Sequence, residues 1–388
     1  MRIAQLSSMT GFYGGEVHLV ALAEGLRRRG HDVRAVVRPR SALARRLGEA
    51  GLPVVTMPLV DWYEPRGTLD LHAWLRDEGI DILHAHVPRD WYTAAVASLG
   101  LPVALVGTRH RLDPIGCAPL KRPFLGRFAA LVAVSEAVRA PLVAGRFLPS
   151  DRVVTVPNGV SLPAAALDRA EARRVLGLPA AGRVIGCVGR LDPDKGVDVL
   201  LEAMARVRRT RPDLVLAIVG DGAPGGRCRT ALESRAAVPD LAGAVRFCGY
   251  REDAARLAAA FDVQAVPSRA EPFGLVLLEA MVRGVPLVAT AAGGVPEIVR
   301  DGREGMLVPP DDAEALAGAL ATLLDDPALG ARLAAGAKRR VGADFGCEGM
   351  LDGIEAVYAR ALRLQRHPRA AGWTVNAAST ARPAPHRR

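Results

Sequence analysis

Two basic residues five positions apart, Arg190 and Lys195, stand in the stretch Gly189-Arg190-Leu191-Asp192-Pro193-Asp194-Lys195-Gly196, directly after the apolar run Val184–Val188. Fixed cations on a strand-to-helix loop suit an anion, because the helix N-terminus adds free amides and a partial positive charge. A departing diphosphate is such an anion, and each charge-assisted hydrogen bond to it is worth about 1.5–3 kcal/mol. A second stretch, Glu271-Pro272-Phe273-Gly274-Leu275-Val276-Leu277-Leu278-Glu279, carries a carboxylate at each end. Pro272 fits a helix start, Gly274 allows close backbone approach, and the amides of Phe273, Gly274 and Leu275 are placed to face a phosphate or a sugar. Glu271 is expected to point into a cleft, and Glu279 lies two turns further along the helix. Carboxylates accept adjacent hydroxyls in pairs, so one suits a hexose and the other a ribose. Gly14-Gly15 would let backbone approach a ligand in the first strand-to-helix loop. His84, His86 and His110 sit at strand ends and are expected to face a cleft, either touching substrate or simply satisfied there. No Cys, Asp or Glu joins them at ligand spacing, which argues against a metal.

Those residues need rigid elements behind them. Short β-branched runs alternate with amphipathic helical patterns almost from end to end, so the fold class is α/β with parallel sheets covered on both faces. Predicted strands are Ile3–Ser7, Val33–Val37, Val54–Met57, Ile82–His86, Val103–Thr108, Leu131–Val134 and Val153–Val156, then Val184–Val188, Val215–Val219, Val245–Cys248, Val263–Val266 and Pro286–Ala289. A helix is predicted over Gly15–Arg29, ended by Gly30. Pro157-Asn158-Gly159 and an Ala-rich stretch read as a linker. The expected domains are therefore 1–163 and 164–345, followed by a helix over 346–366 packing back toward the first domain. A basic Pro/Ala/Arg-rich tail, 367–388, is expected to be disordered.

Composition narrows the function classes. The chain has 388 residues, 24% charged, with a net charge of +10. No apolar run is long enough to span a membrane, and the N-terminus lacks a signal-peptide pattern, so a cytoplasmic protein is expected. Five cysteines form no C-x-x-C pair and are expected to be reduced and structural. Aromatics are only 4%, arginines are scattered and no recognition module is present, which excludes nucleic acid as the expected partner. Residues 1–160 carry a net +6, and Lys121-Arg122-Pro123-Phe124-Leu125-Gly126-Arg127-Phe128 mixes cations with apolar residues. That mixture suits an anionic membrane surface.

Taken in order, the stretches resemble the family 4 (group 1) retaining glycosyltransferases of the GT-B fold, over about residues 2–350. The likeness is strongest across Val188–Lys195, Val219–Gly222 and Phe261–Pro309, including Gly293-Gly294-Val295-Pro296-Glu297 and Asp301-Gly302. It implies two Rossmann-like domains facing across an interdomain cleft. It implies that Arg190 and Lys195 neutralise a donor diphosphate, Glu271 binds the transferred sugar and Glu279 the ribose. By the same resemblance the Phe273, Gly274 and Leu275 amides hold sugar and phosphate, and the Gly15 amide meets the phosphate from the other domain. The Arg251 backbone would meet the nucleobase, with UDP favoured, and His110 would lie near the sugar and the attacking acceptor. No metal and no cofactor is expected, since the nucleotide sugar is a co-substrate; the acceptor would be a saccharide or a lipid-linked sugar.

Two other readings compete. Gly220-Asp221-Gly222-Ala223-Pro224-Gly225 satisfies G-x-G-x-x-G, the dinucleotide fingerprint. However, it follows the second strand of its domain, contains a proline and lacks the ribose-binding acid. A nucleotide-sugar epimerase shares the architecture and would need no acceptor.

Overall fold

The computed structural model describes residues 1–60, 65–115, 122–161, 167–222 and 226–366. The expected domain boundary at 163, the first part of the 121–128 stretch, the end of the glycine motif (223–225) and the tail 367–388 lie outside them.

Thirteen strands form two parallel sheets among these residues. The first holds β1 (Arg2–Ser7), β2 (Asp32–Val37), β3 (Val54–Thr56), β4 (Ile82–Ala85), β5 (Ala104–Arg109), β6 (Ala130–Ala133) and β7 (Val153–Thr155), in the order β3-β2-β1-β4-β5-β6-β7. The second holds β8 (Val184–Val188), β9 (Val215–Val219), β10 (Val245–Phe247), β11 (Val263–Val266), β12 (Leu287–Thr290) and β13 (Met306–Val308), in the order β10-β9-β8-β11-β12-β13. Each sheet reverses its order at one point, between β1 and β4 and between β8 and β11. A crevice opens there at the carboxyl ends of the strands, because the flanking helices lie on opposite faces. This is the GT-B arrangement of two Rossmann-like sheets. One strand, β13 (Met306–Val308), was not predicted: its short apolar run Met306-Leu307-Val308 follows Gly305 and runs straight into Pro309-Pro310.

Helix Gly14–Arg28 shows how the sequence builds the layers. Leu19, Leu22, Ala23 and Leu26 fall on one buried stripe, and Gly30, at φ +84°, ends the turn that follows. The long helix Cys347–Arg366 lays Met350, Leu351, Ile354, Val357, Tyr358 and Ala361 into the same core. Gly25 makes room for it: a Cβ there would stand 2.6 Å from a Leu351 methyl. Arg29 then pairs with Asp352 and Glu355 (2.7 Å each) along the seam. The last described helix is therefore packed on the first sheet, after the chain has built the second. No helix among the described residues is long and apolar enough to cross a membrane.

At the centre of that seam Tyr358 is fully buried. Its hydroxyl accepts from Gln5 Nε2 (3.0 Å) and lies 2.7 Å from His84 Nδ1. Tyr358→Phe strips a partner from two buried groups at once. We expect it to lower unfolding free energy by about 1–3 kcal/mol in urea titrations; an unchanged midpoint would show that the hydroxyl is dispensable.

Candidate active site

Four loops meet where the two crevices face each other. After β8 the chain makes a 3-10 turn over Pro193–Lys195 and enters helix Val197–Arg208 through Gly196, at φ +62°. A Cβ on Gly196 would lie 2.0 Å from the Pro267 carbonyl, so this loop rests directly on the one after β11. Its Lys195 reaches Glu271, Nζ to Oε2 at 2.7 Å, and Ser268 Oγ approaches the same oxygen at 3.3 Å. Glu271 is 6% exposed. The sugar-binding candidate and one diphosphate-binding candidate thus hold each other, a pairing that the sequence did not suggest. Arg190 is half exposed, 2.8 Å from Asp192, and its guanidinium lies over the Tyr13 ring of the opposite domain at 5.0 Å.

Pro272 does not start the following helix, as the sequence suggested. The helix runs Leu275–Arg283, entered through Gly274 at φ +105°, a left-handed conformation that fits glycine. That extra turn leaves the amides of Phe273, Gly274 and Leu275 without an acceptor among the described residues. The Phe273 ring is buried against Phe345, so its backbone is what the loop presents. Opposite lies the start of helix Gly14–Arg28: a Cβ on Gly14 would be 3.7 Å from Leu275, and one on Gly15 would be 3.6 Å from His110. Gly15, His110 and Leu275 are therefore neighbours across the cleft.

The same loop is fixed from the first domain. Ser135 Oγ donates to the Pro272 carbonyl at 2.6 Å. Glu297 accepts from the amides of Glu136 and Ala137 (2.8 and 2.9 Å), capping helix Glu136–Ala144 from the other domain. A carboxylate at a helix N-terminus is favourable, and here it doubles as an interdomain tie. At the far end, Glu252 reaches Arg45 (3.0 Å) and Arg46 (3.3 Å) on helix Ala42–Glu49. Its neighbour Arg251 is bound to Asp253 (3.0 and 3.1 Å), leaving the loop after β10 anchored on both sides.

The histidines depart furthest from expectation. His84 does not face the cleft; it is fully buried between Tyr358 and Thr108 Oγ1, the latter at 2.6 Å. His86 is 4% exposed and 2.7 Å from Gln5 Oε1. His110 remains at the cleft margin, and His18, one turn into the first helix, joins them. Donor nitrogens of His18, His86 and His110 all lie within 4.8 Å of one another. Sequence reading missed His18 because it sought partners at strand ends. The signal was a histidine four residues after Gly14, on the turn that those glycines aim at the cleft. Two carboxyls were missed as well. Asp90 accepts from the Ser8 amide (2.7 Å) at the first switch point, and burial pushes it up to about 6. Glu16 accepts from the Tyr13 amide (2.9 Å), and burial raises it too.

Glu279 has no hydrogen-bond partner among the described residues, and burial pushes its carboxyl up to about 7. A half-buried acid without a donor is poised to take hydroxyls from a ligand.

The chain is similar over both halves to described glycosyltransferase families. The profile described as "Glycosyltransferase Family 4" matches residues 12–163, and that described as "Glycosyl transferases group 1" matches residues 182–326. A phosphatidyl-myo-inositol mannosyltransferase of Mycolicibacterium smegmatis is 32% identical, with 84% of this chain and 85% of that protein covered. A D-inositol 3-phosphate glycosyltransferase of Acidothermus cellulolyticus is 34% identical, covering 91% and 87%. Among solved structures, Anabaena Alr3699/HepE in complex with UDP and glucose superposes with a TM-score of 0.82 at 25% identity, covering 92% of this chain and 99% of that one. Sucrose-phosphate synthase from Thermosynechococcus elongatus gives 0.77 at 25% identity, covering 94% and 99%.

The raised Glu279 has a consequence for stability. Its folded value, about 7, lies above the ordinary 4.5. The fold thus loses stability as pH rises from about 4.5 through 7 and the buried group ionises. Glu279→Gln removes that loss. The variant should match wild type near pH 4.5 and exceed it by on the order of 2 kcal/mol at pH 8 in urea unfolding. Equal stability at pH 8 would mean that Glu279 ionises there without penalty.

Proposed function

The chain belongs to glycosyltransferase family 4, and from that premise we propose that it transfers a sugar from a nucleoside-diphosphate sugar, UDP favoured, to a hydroxyl of a saccharide, lipid-linked or polyol acceptor, retaining anomeric configuration. The observation that carries this reading is the meeting of Lys195 and Glu271 beneath the three free amides of Phe273, Gly274 and Leu275. It offers a cation, a carboxylate and unpaired donors on one loop pair.

In this reading the diphosphate lies between Arg190, Lys195 and the Gly15 amide. Two cations and a helix N-terminus stabilise the leaving group without a divalent ion on the phosphates. Glu271, held by Lys195 and Ser268, takes hydroxyls of the transferred sugar, and Glu279 takes the ribose diol. The backbone at Arg251 borders the base. His110 lies beside Gly15, where the sugar and the incoming acceptor would meet. The acceptor attacks from the face the diphosphate leaves, so no side chain serves as a covalent nucleophile; the described residues offer no nucleophile–base pair for one. The inositol-bearing acceptors named for the two relatives favour a cyclic polyol or its lipid. Arg122 and Arg127 would bring the acceptor side to an anionic surface.

Thermal unfolding in the presence of UDP, GDP, ADP and NAD, without added Mg²⁺ or Mn²⁺, tests the donor site. A ligand at about 100 times its dissociation constant adds about 2.7 kcal/mol of stability. One nucleoside diphosphate is expected to raise Tm by several degrees. Lys195→Ala should weaken it about 10- to 150-fold, the worth of one charge-assisted hydrogen bond. Stabilisation by NAD alone would overturn the reading. So would wild-type transfer by Glu271→Gln on the substrates that bind.

A further inference from the structure

We propose that His18, His86 and His110 bind one transition-metal ion of the Zn²⁺ class, set in the wall of the first domain and separate from the diphosphate.

The geometry comes first. The three ring centroids stand 5.0 Å (His18–His110), 5.8 Å (His18–His86) and 6.1 Å (His86–His110) apart. Three imidazoles at about 2.0–2.1 Å from a tetrahedral ion have their donor nitrogens about 3.3 Å apart. Their ring centres, each about 1 Å behind its nitrogen, are then about 5 Å apart. The rings are thus spaced for a shared ion to within about 1 Å, and small side-chain rotations bring the donors, now within 4.8 Å, to closure.

The second argument is polar accounting. Nδ1 and Nε2 of His18, Nδ1 of His86 and Nε2 of His110 are all sealed from solvent without a hydrogen-bond partner among the described residues. Each such atom costs about 1–3 kcal/mol if left so. One nitrogen from each of the three rings lies within 4.8 Å of the other two, so a shared ion would relieve three of these four atoms.

The third is the direction of protons. Tyr358 accepts from Gln5 Nε2, so its own hydroxyl donates to His84 Nδ1, and His84 Nε2–H donates to Thr108. Gln5 therefore offers its carbonyl to His86, whose Nε2 must be the donor. That leaves a lone pair on His86 Nδ1, one of the sealed atoms without a partner. Buried partners of this kind fix the tautomer and raise the basicity of a metal-binding imidazole.

The donor set selects the ion. Three neutral imidazoles and no carboxylate suit Zn²⁺, Co²⁺, Ni²⁺ or Cu²⁺ and not Mg²⁺ or Ca²⁺. Of the two His110 nitrogens only Nε2 is sealed. Ligation there makes Nδ1 the N–H, a fixed donor at the cleft margin. Binding of the ion is independent of the transferase reading, whereas this last consequence rests on it.

The test uses the full chain, stripped with a chelator and freed of it. Titration with Co²⁺ should give one equivalent, with the strong visible bands of a four-coordinate ion. His18→Gln, outside the proposed transfer machinery, should weaken binding at least 100-fold. Circular dichroism shows whether that variant folds. If it does not, X-ray absorption of the Zn²⁺-loaded wild type decides, with three imidazoles expected in the scattering. Less than a tenth of an equivalent bound, wild-type affinity in folded His18→Gln, or fewer than three imidazoles would each overturn the site. None of these results touches nucleotide binding, which the UDP titration reads separately.

Discussion

The loops at the carboxyl ends of the second sheet touch backbone to backbone, and the site depends on that contact. A Cβ on Gly220 would stand 1.8 Å from the Gly189 carbonyl, one on Gly293 2.2 Å from that of Glu271, and one on Gly294 2.6 Å from that of Pro272. Side chains are excluded between these loops, so their carbonyls and amides set the shape of the crevice floor. Packed interiors do not yield to an added methyl without moving their neighbours. Gly294 N donates to the Glu271 carbonyl at 2.8 Å, which turns Glu271 toward Lys195 while leaving the next three amides unclaimed.

Charge is arranged on this floor so that little of it is unopposed. Lys195 pairs with Glu271, Arg190 with Asp192, and Arg269 with Asp198 and Asp311. Mutual pairing lowers the cost of holding buried ions in a low-dielectric crevice. In the proposed donor site an incoming diphosphate would compete for Lys195 and Arg190, and a sugar hydroxyl would replace the ammonium on Glu271. Binding there would exchange partners and would not create isolated charges. Glu279 is the exception: with no cation beside it among the described residues, it resolves the same conflict by staying largely protonated until pH approaches 7.

Much of this plan was readable in the sequence. Strands in parallel sheets buried on both faces leave continuous apolar runs, and twelve of thirteen were placed to within a residue or two. The glycines around Gly189–Gly196 and at Gly274 declared themselves because tight turns and close backbone contacts at strand ends need glycine at fixed offsets. What stayed hidden depends on distance in space. The pairing of Lys195 with Glu271 joins residues on different strands' loops, and Glu297 capping a helix of the other domain has no local signature. The G-x-G-x-x-G decoy has its own explanation. Gly220, the motif's first glycine, is required by its contact with Gly189, and the intervening Asp221 is tied to Arg229 at 2.8 Å, so both serve loop packing.

The C-terminal helix connects these arguments. It enters at Gly346, where Val160 and Gly346 bridge, and a Cβ on Gly159 would meet the Cys347 backbone at 2.6 Å. The chain thus crosses between its two sheets twice within one tight contact, going out past Val160 and returning at Gly346. A double crossing restrains the two halves more than a single linker would, because rotation about one strand of chain is opposed by the other. Tyr358 then extends that restraint inward, since its hydroxyl sets the direction of hydrogen bonds through Gln5 to His86 and through His84 to Thr108. Histidines at the wall of the cleft are therefore oriented by a residue on the last described helix. The placement of that helix is in turn fixed by the same seam that holds the two domains in register.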